Sequence, residues 1–264
     1  MTKRVLITGC SSGIGHALAG ELARRGHHVI ATARKPEMLA DIDVAQRLAL
    51  DVTSRESVEA SAAQIGDIDV LVNNAGITIW SSVESSPEEE VQRIFETNVF
   101  GMLRMLRSFL PGMRAQGSGE IYQISSAIAK RSTALLGHYA STKAAFDAYS
   151  EALRLEVAPF GIKVCIVALG AVESNFATNR REIVDLDYSE LVERVKARVA
   201  KTRRAPFTSQ AVADRIANLI DHGNPPLRFD GTGDAFALFA QRAALSDEEW
   251  ERKTLAEIWT PDQA

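Results

Sequence analysis

The chain has 264 residues, of which 46% are hydrophobic and 24% charged, a composition typical of a globular protein with a substantial core. A formal net charge of -4 gives no electrostatic reason to expect nucleic acid or an anionic membrane surface as a partner. We expect no signal sequence, because the N-terminal residues have no signal-type apolar region or cleavage site, and there is no apolar run of about 18 residues and no metal-ligand spacing around Cys10 and Cys165. The sequence therefore predicts a cytoplasmic protein without a membrane span or a metal site.

The first predicted element is a short apolar strand, Val5–Ile7, followed by a glycine-rich turn and a helix. Three glycines between a strand and a helix allow the backbone to approach a phosphate at the helix N-terminus. We therefore expect a nucleotide-binding loop rather than a turn that merely packs well. The residues of this loop expected to contact a cofactor are Gly9, Ser11, Ser12, Gly13, Ile14 and Gly15.

The end of the second predicted strand, His28–Ala33, indicates which cofactor is preferred. An acidic residue there would bind a ribose 2′-hydroxyl, whereas a basic residue would accept a 2′-phosphate. The chain has Arg34 and Lys35 at this place and no carboxylate. The pair therefore favours NADP over NAD, the alternative being a solvated pair of surface charges.

Two further strand ends carry candidate cofactor contacts. Asp51 and the adjoining Val52 end the third predicted strand, where the carboxylate can contact an adenine, cap the next helix, or do both. The fourth strand runs into a turn of carboxamides and small residues, which leaves room for a ribose or an adenine against the backbone. The candidates in this turn are Asn74, Ala75 and Gly76.

A long helix follows, and one polar residue interrupts its apolar stripe. The stripe expected to face the core is Val91, Phe95, Asn98, Met102, Met105 and Phe109. A buried amide such as Asn98 must have hydrogen-bond partners. The pattern leaves two interpretations open: a structural bond to neighbouring backbone, or an amide that holds a water molecule beside the site.

The most informative stretch comes after the fifth predicted strand, Gly119–Ile124. Tyr139 and Lys143 are four residues apart on a predicted helix, so their side chains lie on one face, one turn apart. A neighbouring ammonium favours the phenolate, and we expect the pKa of Tyr139 to fall from its usual value towards neutrality. Strands and helices alternate up to residue 167, which predicts an α/β fold: a Rossmann-like, doubly wound parallel sheet with helices on both faces.

After residue 174 the pattern changes to a charged, helical segment. Residues 175–207 are predicted to be a helical insertion that covers the substrate, and the chain 1–264 is predicted to form a single domain. The insertion has apolar residues at helical spacing, namely Leu191, Val195 and Val199. Four aromatic or apolar residues could line the pocket or pack the covering helices: Phe176, Leu186, Tyr188 and Phe207.

Five motifs, in this order and spacing, resemble the short-chain dehydrogenase/reductase family over residues 4–175. They are Thr8-Gly9-x3-Gly13-x-Gly15, Asn73-Asn74-Ala75-Gly76, Asn98, Ser126 and Tyr139-x3-Lys143. The resemblance implies that Tyr139 is the general acid/base and that Lys143 lowers its pKa and binds the nicotinamide ribose. It also implies that Ser126, thirteen residues before the tyrosine, polarises the substrate and that Asn98 holds a water molecule. Val172 and Ser174 match positions that contact the nicotinamide carboxamide.

The implied function is an NADP(H)-dependent oxidoreductase that interconverts a ketone or aldehyde and an alcohol, acting as a homodimer or homotetramer. Two alternatives remain: a catalytically silent NADP-binding regulator, and a sugar-nucleotide epimerase or dehydratase. The chain departs from the family twice. Leu169-Gly170 replaces the usual Pro-Gly, which predicts a less rigid loop, and Ser12 replaces a basic residue, so NADP preference rests on Arg34 and Lys35.

Overall fold

The central feature of the fold is a parallel sheet. In the computed structural model, residues 1–173, 176, 181–202 and 207–259 are described, and they contain a seven-stranded sheet with all neighbouring strands parallel. In chain order its strands are β1 (Arg4–Ile7), β2 (His28–Ala33), β3 (Gln46–Ala49), β4 (Val70–Asn73), β5 (Gly119–Ile124), β6 (Ile162–Ala168) and β7 (Arg228–Asp230). The spatial order is β7-β6-β5-β4-β1-β2-β3, which confirms the predicted doubly wound arrangement.

Helices cover both faces of the sheet. In chain order they are α1 (Gly13–Arg24), α2 (Arg55–Ile65), α3 (Glu88–Phe95), α4 (Gly101–Gln116), α5 (Gly137–Val157), α6 (Ser189–Thr202), α7 (Ser209–His222), α8 (Ala235–Ala243) and α9 (Asp247–Trp259). None of the described helices is long and apolar enough to cross a membrane.

The side chains of β1 illustrate how the two layers form. Val5 and Ile7 point to one face and belong to a fully buried cluster with Leu18 of α1. Leu6 points to the opposite face and joins a second buried cluster with Met105 of α4. Because successive strand residues alternate between faces, a continuous apolar run is the pattern of a strand buried on both sides.

The long helix predicted around Asn98 buries a different face from the one expected. A π-helical turn, Glu96–Phe100, separates α3 from α4. The extra residue of that turn rotates the stripe, so that Ile94 is fully buried while Val91 and Phe95 are only half-buried. The prediction of Val91 and Phe95 as core positions was therefore wrong, whereas Asn98 remains buried.

The predicted cover is partly described. Its main helix is α6, whose Val192 and Val195 are buried with Trp80, Leu135 and Ile258 from three other segments. Residues 174, 175, 177–180 and 203–206 lie outside the described residues, so the predicted role of Ser174 has no structural counterpart here. Three predicted cover residues differ from expectation: Val199 and Leu186 are exposed, and Phe207 packs against the main core.

Candidate active site

The loop after β1 has the conformation that the glycine spacing predicts. Gly9 and Gly13 have φ angles of +72° and +63°, a region that side chains with a Cβ rarely adopt. Helix α1 begins at Gly13, and the side chain of its N-cap residue Ser12 makes no capping hydrogen bond. The backbone N–H groups of the first turn are therefore open to an anionic ligand, which the helix dipole also favours.

Gly15 and Asn74 hold this loop in a closely packed arrangement. A Cβ on Gly15 would lie 2.4 Å from Asn74 Nδ2 and 2.5 Å from the carbonyl oxygen of Gly9. Asn74 Nδ2 donates to the carbonyl oxygens of Thr8 (2.9 Å) and Gly9 (3.0 Å). Thr8 Oγ1 in turn accepts hydrogen bonds from the backbone N–H groups of Asn74 and Ala75, both at 3.0 Å. The Asn74 side chain thus positions the glycine loop.

Arg34 and Lys35 follow β2 directly and are both exposed. Within the described part of the chain, neither side chain has a carboxylate or carbonyl partner, so both charges are available to a ligand at this strand end. Asp51, by contrast, is used locally: its Oδ1 accepts from the backbone N–H (2.9 Å) and the hydroxyl (2.7 Å) of Thr53. Asp51 does not cap the next helix, because the N-cap of α2 is Ser54, whose hydroxyl accepts from the backbone N–H of Ser57 at 3.1 Å. Val52 is buried beneath α4.

Lys143 lies in a buried position one helical turn after Tyr139. Its side chain is 5% exposed, and Nζ donates a 2.7 Å hydrogen bond to the carbonyl oxygen of Ile124 at the end of β5. Nζ lies 5.9 Å from the centroid of the Tyr139 ring. Burial lowers the pKa of Lys143 to about 8, and the charge of Asp147 opposes that fall. Lys143 is therefore mainly charged at neutral pH and loses its proton at mildly alkaline pH.

Tyr139 differs from the expectation for its acidity. Burial of the phenol raises its pKa above the usual value, and a hydrogen bond with Ser126 only partly offsets this. The expected fall in the pKa of Tyr139 is therefore wrong for the protein alone, because burial disfavours the phenolate more strongly than the Ser126 hydrogen bond favours it. The phenol is consequently held in its protonated form at neutral pH.

The two serines after β5 have different surroundings. Ser125 is buried, and its hydroxyl donates to the carboxylate of Asp147. Ser126 Oγ makes only long contacts with backbone, accepting from the N–H of Ile128 at 3.3 Å and donating to Leu169 at 3.4 Å. Ser126 also reaches the Tyr139 hydroxyl. Of the two, Ser126 is the hydroxyl placed beside the phenol.

Asn98 makes structural hydrogen bonds with every polar group of its side chain. Oδ1 accepts from the N–H of Ile77 (2.8 Å), while Nδ2 donates to the carbonyl oxygen of Ile77 (2.9 Å) and to Thr142 Oγ1 (3.1 Å). Thr142 Oγ1 then donates to the carbonyl oxygen of Tyr139 at 2.8 Å. The side chain thus ties the turn after β4 to the helix of Tyr139. The sequence analysis did not identify Thr142 as a site residue, although it lies between Tyr139 and Lys143 in the chain.

The loop after β6 is bound to the C-terminal segment. The N–H of Gly170 donates to Thr232 Oγ1 at 2.8 Å, and Thr232 Oγ1 donates to Asp234 Oδ1 at 2.6 Å. Leu169, which replaces the expected proline, is 7% exposed. The loop is therefore restrained by side chains from a distant segment, in contrast to the less rigid loop that the sequence predicted.

Beyond this loop, Val172 is half-buried and packs against the core. The Phe176 ring lies 5.7 Å from the Tyr139 ring, centroid to centroid, at 53°. It therefore contributes an apolar surface beside the phenol.

All these features lie at one edge of the sheet. The glycine loop, Arg34, the turn after β4, Ser126 and the loop after β6 each follow the carboxyl end of a parallel strand. Strand order reverses between β1 and β4, and open α/β sheets bind nucleotides at such a point. The fold is that of the Rossmann class, and the predicted site residues lie at the edge of the sheet where proteins of this class bind nucleotides.

Comparisons with known proteins identify the family. The sequence profile described as "short chain dehydrogenase" matches residues 3–185. The 3-ketodihydrosphingosine reductase of Bacteroides thetaiotaomicron is 38% identical over 233 residues, 85% of this chain and 86% of the relative. The chain belongs to the short-chain dehydrogenase/reductase family.

Solved structures agree with this assignment. A short-chain dehydrogenase from Streptomyces avermitilis has a TM-score of 0.82 and 37% identity, with 96% of this chain and 98% of that chain covered. An alcohol dehydrogenase from the archaeon Thermococcus sibiricus, complexed with 5-hydroxy-NADP, has a TM-score of 0.71 and 25% identity, with 87% and 96% covered.

Proposed function

We propose that the chain is an NADP(H)-dependent oxidoreductase that interconverts a ketone or aldehyde and an alcohol, with Tyr139 as proton donor and acceptor. The observation that carries the proposal is the buried ammonium of Lys143, which lies 5.9 Å from the centroid of the Tyr139 ring and is bonded to the end of the strand that Ser126 follows. A proton donor beside a hydroxyl and a cation suits a carbonyl that gains negative charge during reduction.

The cofactor and three side chains of the protein have separate roles in the proposed reaction. A bound nicotinamide cofactor supplies or accepts the hydride. Ser126 donates a hydrogen bond to the substrate oxygen, and Tyr139 gives that oxygen its proton. Burial keeps the phenol protonated at neutral pH, which suits reduction. After the transfer the phenolate is stabilised by the charge of Lys143, and Lys143 also binds the nicotinamide ribose.

The preference for NADP rests on the exposed cations after β2. Arg34 and Lys35 offer a bidentate guanidinium and an ammonium where a ribose 2′-phosphate would lie, and neither is used within the described part of the chain. The phosphates of the cofactor fit the open N-terminus of α1. In the same proposal, Asp51, Val52, Ala75, Gly76, Val172 and Ser174 line the cofactor.

The substrate we propose is a carbonyl on an apolar molecule. The Phe176 ring lies beside that of Tyr139, and the relative from Bacteroides is named a 3-ketodihydrosphingosine reductase. We further propose that residues 1–264 form one domain with 175–207 as its substrate cover. As in the sequence-based expectation, the assembly is a homodimer or homotetramer, which light scattering measures directly.

A spectrophotometric screen tests the proposal. NADPH and NADH oxidation are followed with panels of apolar ketones, aldehydes and sugar nucleotides. We expect turnover of at least one ketone or aldehyde with NADPH as the better cofactor. Tight NADPH binding without turnover of any carbonyl would instead favour a regulator. Conversion of a sugar nucleotide without net oxidation of NADPH, followed by chromatography of the product, would favour an epimerase or dehydratase.

A further inference from the structure

Helix α5 carries a row of chemically active side chains that extends beyond the tyrosine and the lysine. Tyr139, Lys143, Asp147 and Glu151 recur at intervals of four residues, so they lie along one face of the helix. Neither the sequence motifs nor the proposed reaction uses Asp147. A carboxylate there is nevertheless 2% exposed, and such burial is costly unless the group is paired.

The partners of Asp147 come from three separate parts of the fold. From the end of β5, the Ser125 hydroxyl donates to Oδ1. From β7, Arg228 Nη2 lies 3.3 Å from Oδ2. On α5 itself, Lys143 lies one turn before it. Burial raises the pKa of Asp147, and the Ser125 hydrogen bond and the charges of Arg228, Lys130 and Lys143 oppose that rise.

The charge of Asp147 favours the protonated form of Lys143. Burial disfavours the ammonium of Lys143, and the one charge within the described residues that opposes this burial is that of Asp147. The hydrogen bond of Nζ to Ile124 binds the ammonium but supplies only a dipole. Without the carboxylate, Lys143 would lose its proton at a lower pH.

We propose that Asp147 is a positioning residue for the reaction: a buried carboxylate, held by Ser125 and Arg228, that keeps Lys143 charged one helical turn from Tyr139. The inference rests on the proposed role of Lys143. It makes the row on α5 a functional unit of three groups, in which the phenol acts, the ammonium stabilises the phenolate and binds the cofactor, and the carboxylate maintains the ammonium.

The test is the pH dependence of NADPH affinity, read from the fluorescence of the reduced nicotinamide between pH 6.5 and 9.5. In the wild-type protein we expect affinity to weaken as pH rises through about 8, where Lys143 loses its proton. In Asp147→Asn we expect the same weakening about one pH unit lower, so that NADPH binds roughly tenfold more weakly than wild type at pH 9 and nearly equally at pH 6.5.

Glu151→Gln is the matched control. Glu151 also pairs with Arg228, but its side chain is 42% exposed and its charge does not act on the pKa of Lys143. The midpoint should therefore stay where it is in the wild type. Asp147→Glu restores the charge and should return the midpoint towards its wild-type value. A merely structural role for Asp147 would weaken binding equally at every pH.

The double variant Asp147→Asn with Arg228→Gln covers the case in which the single variant does not fold. It also removes the guanidinium that the single variant leaves without its Asp147 partner, and a downward shift of the midpoint is still expected. A midpoint unchanged in a folded variant, or no midpoint in the wild type, overturns the inference. The proposed function fails by a different result, namely normal turnover by Tyr139→Phe.

Discussion

Asn98→Ala tests whether this amide is a structural link or a holder of water. The substitution removes three hydrogen bonds, two to the backbone of Ile77 and one to Thr142, and leaves their partners without replacements. At about 1 kcal/mol for each net hydrogen bond, we expect the free energy of unfolding to fall by about 3 kcal/mol. For a chain of this size that corresponds to a Tm lower by about 6–12 °C.

The assay is thermal unfolding followed by circular dichroism, with chemical unfolding in urea to obtain the free energy. Thr97→Ala is the control, because Thr97 lies in the same π-helical turn but makes only one exposed hydrogen bond, to Arg93, and should cost less than about 0.5 kcal/mol. Thr142→Val removes one of the three Asn98 contacts and should give an intermediate loss. A loss below about 1 kcal/mol for Asn98→Ala would refute the structural interpretation and restore the one based on a bound water.

Two further predictions concern the cofactor. Gly15→Ala forces a Cβ against Asn74 and the backbone of Gly9, so NADPH affinity should fall at least about tenfold by fluorescence titration. Gly20→Ala in the same helix meets only Ile42 at an ordinary 3.6 Å and should bind NADPH normally; equal affinities in the two variants would contradict the packing argument. Arg34→Asp should lower the ratio of kcat/KM for NADPH over NADH at least about tenfold, since it replaces a charge-assisted contact by repulsion. An unchanged ratio would contradict the proposal that Arg34 binds the 2′-phosphate.

The sequence was sufficient for those parts of the site that depend on local spacing. The glycine loop could be predicted because its glycines stand where a Cβ would clash with neighbouring atoms. The shared face of Tyr139 and Lys143 could be predicted because the two residues are four apart on a helix. The parallel sheet could be predicted because the apolar runs are continuous, whereas a strand with one solvent-exposed face would alternate apolar and polar residues. Each of these predictions uses residues close together in the chain.

What the sequence could not supply depends on contacts between distant segments. The raised pKa of Tyr139 results from burial, which a motif does not record. The partners of Asn98 include Ile77, which lies 21 residues before it, and the anchor of Gly170 lies 62 residues later at Thr232. The π-helical turn could not be predicted, because the search for apolar residues assumed 3.6 residues per turn throughout the helix.

The most direct test of the central claim is the turnover of Tyr139→Phe with NADPH and a carbonyl substrate found by screening. The ring remains and the proton donor is lost, so kcat should fall by about two orders of magnitude or more while the NADPH dissociation constant stays within about twofold of wild type. Tyr149→Phe, an exposed tyrosine on the same helix, is the matched control and should keep full activity. Normal kcat in Tyr139→Phe would contradict the assignment of Tyr139 as the proton donor.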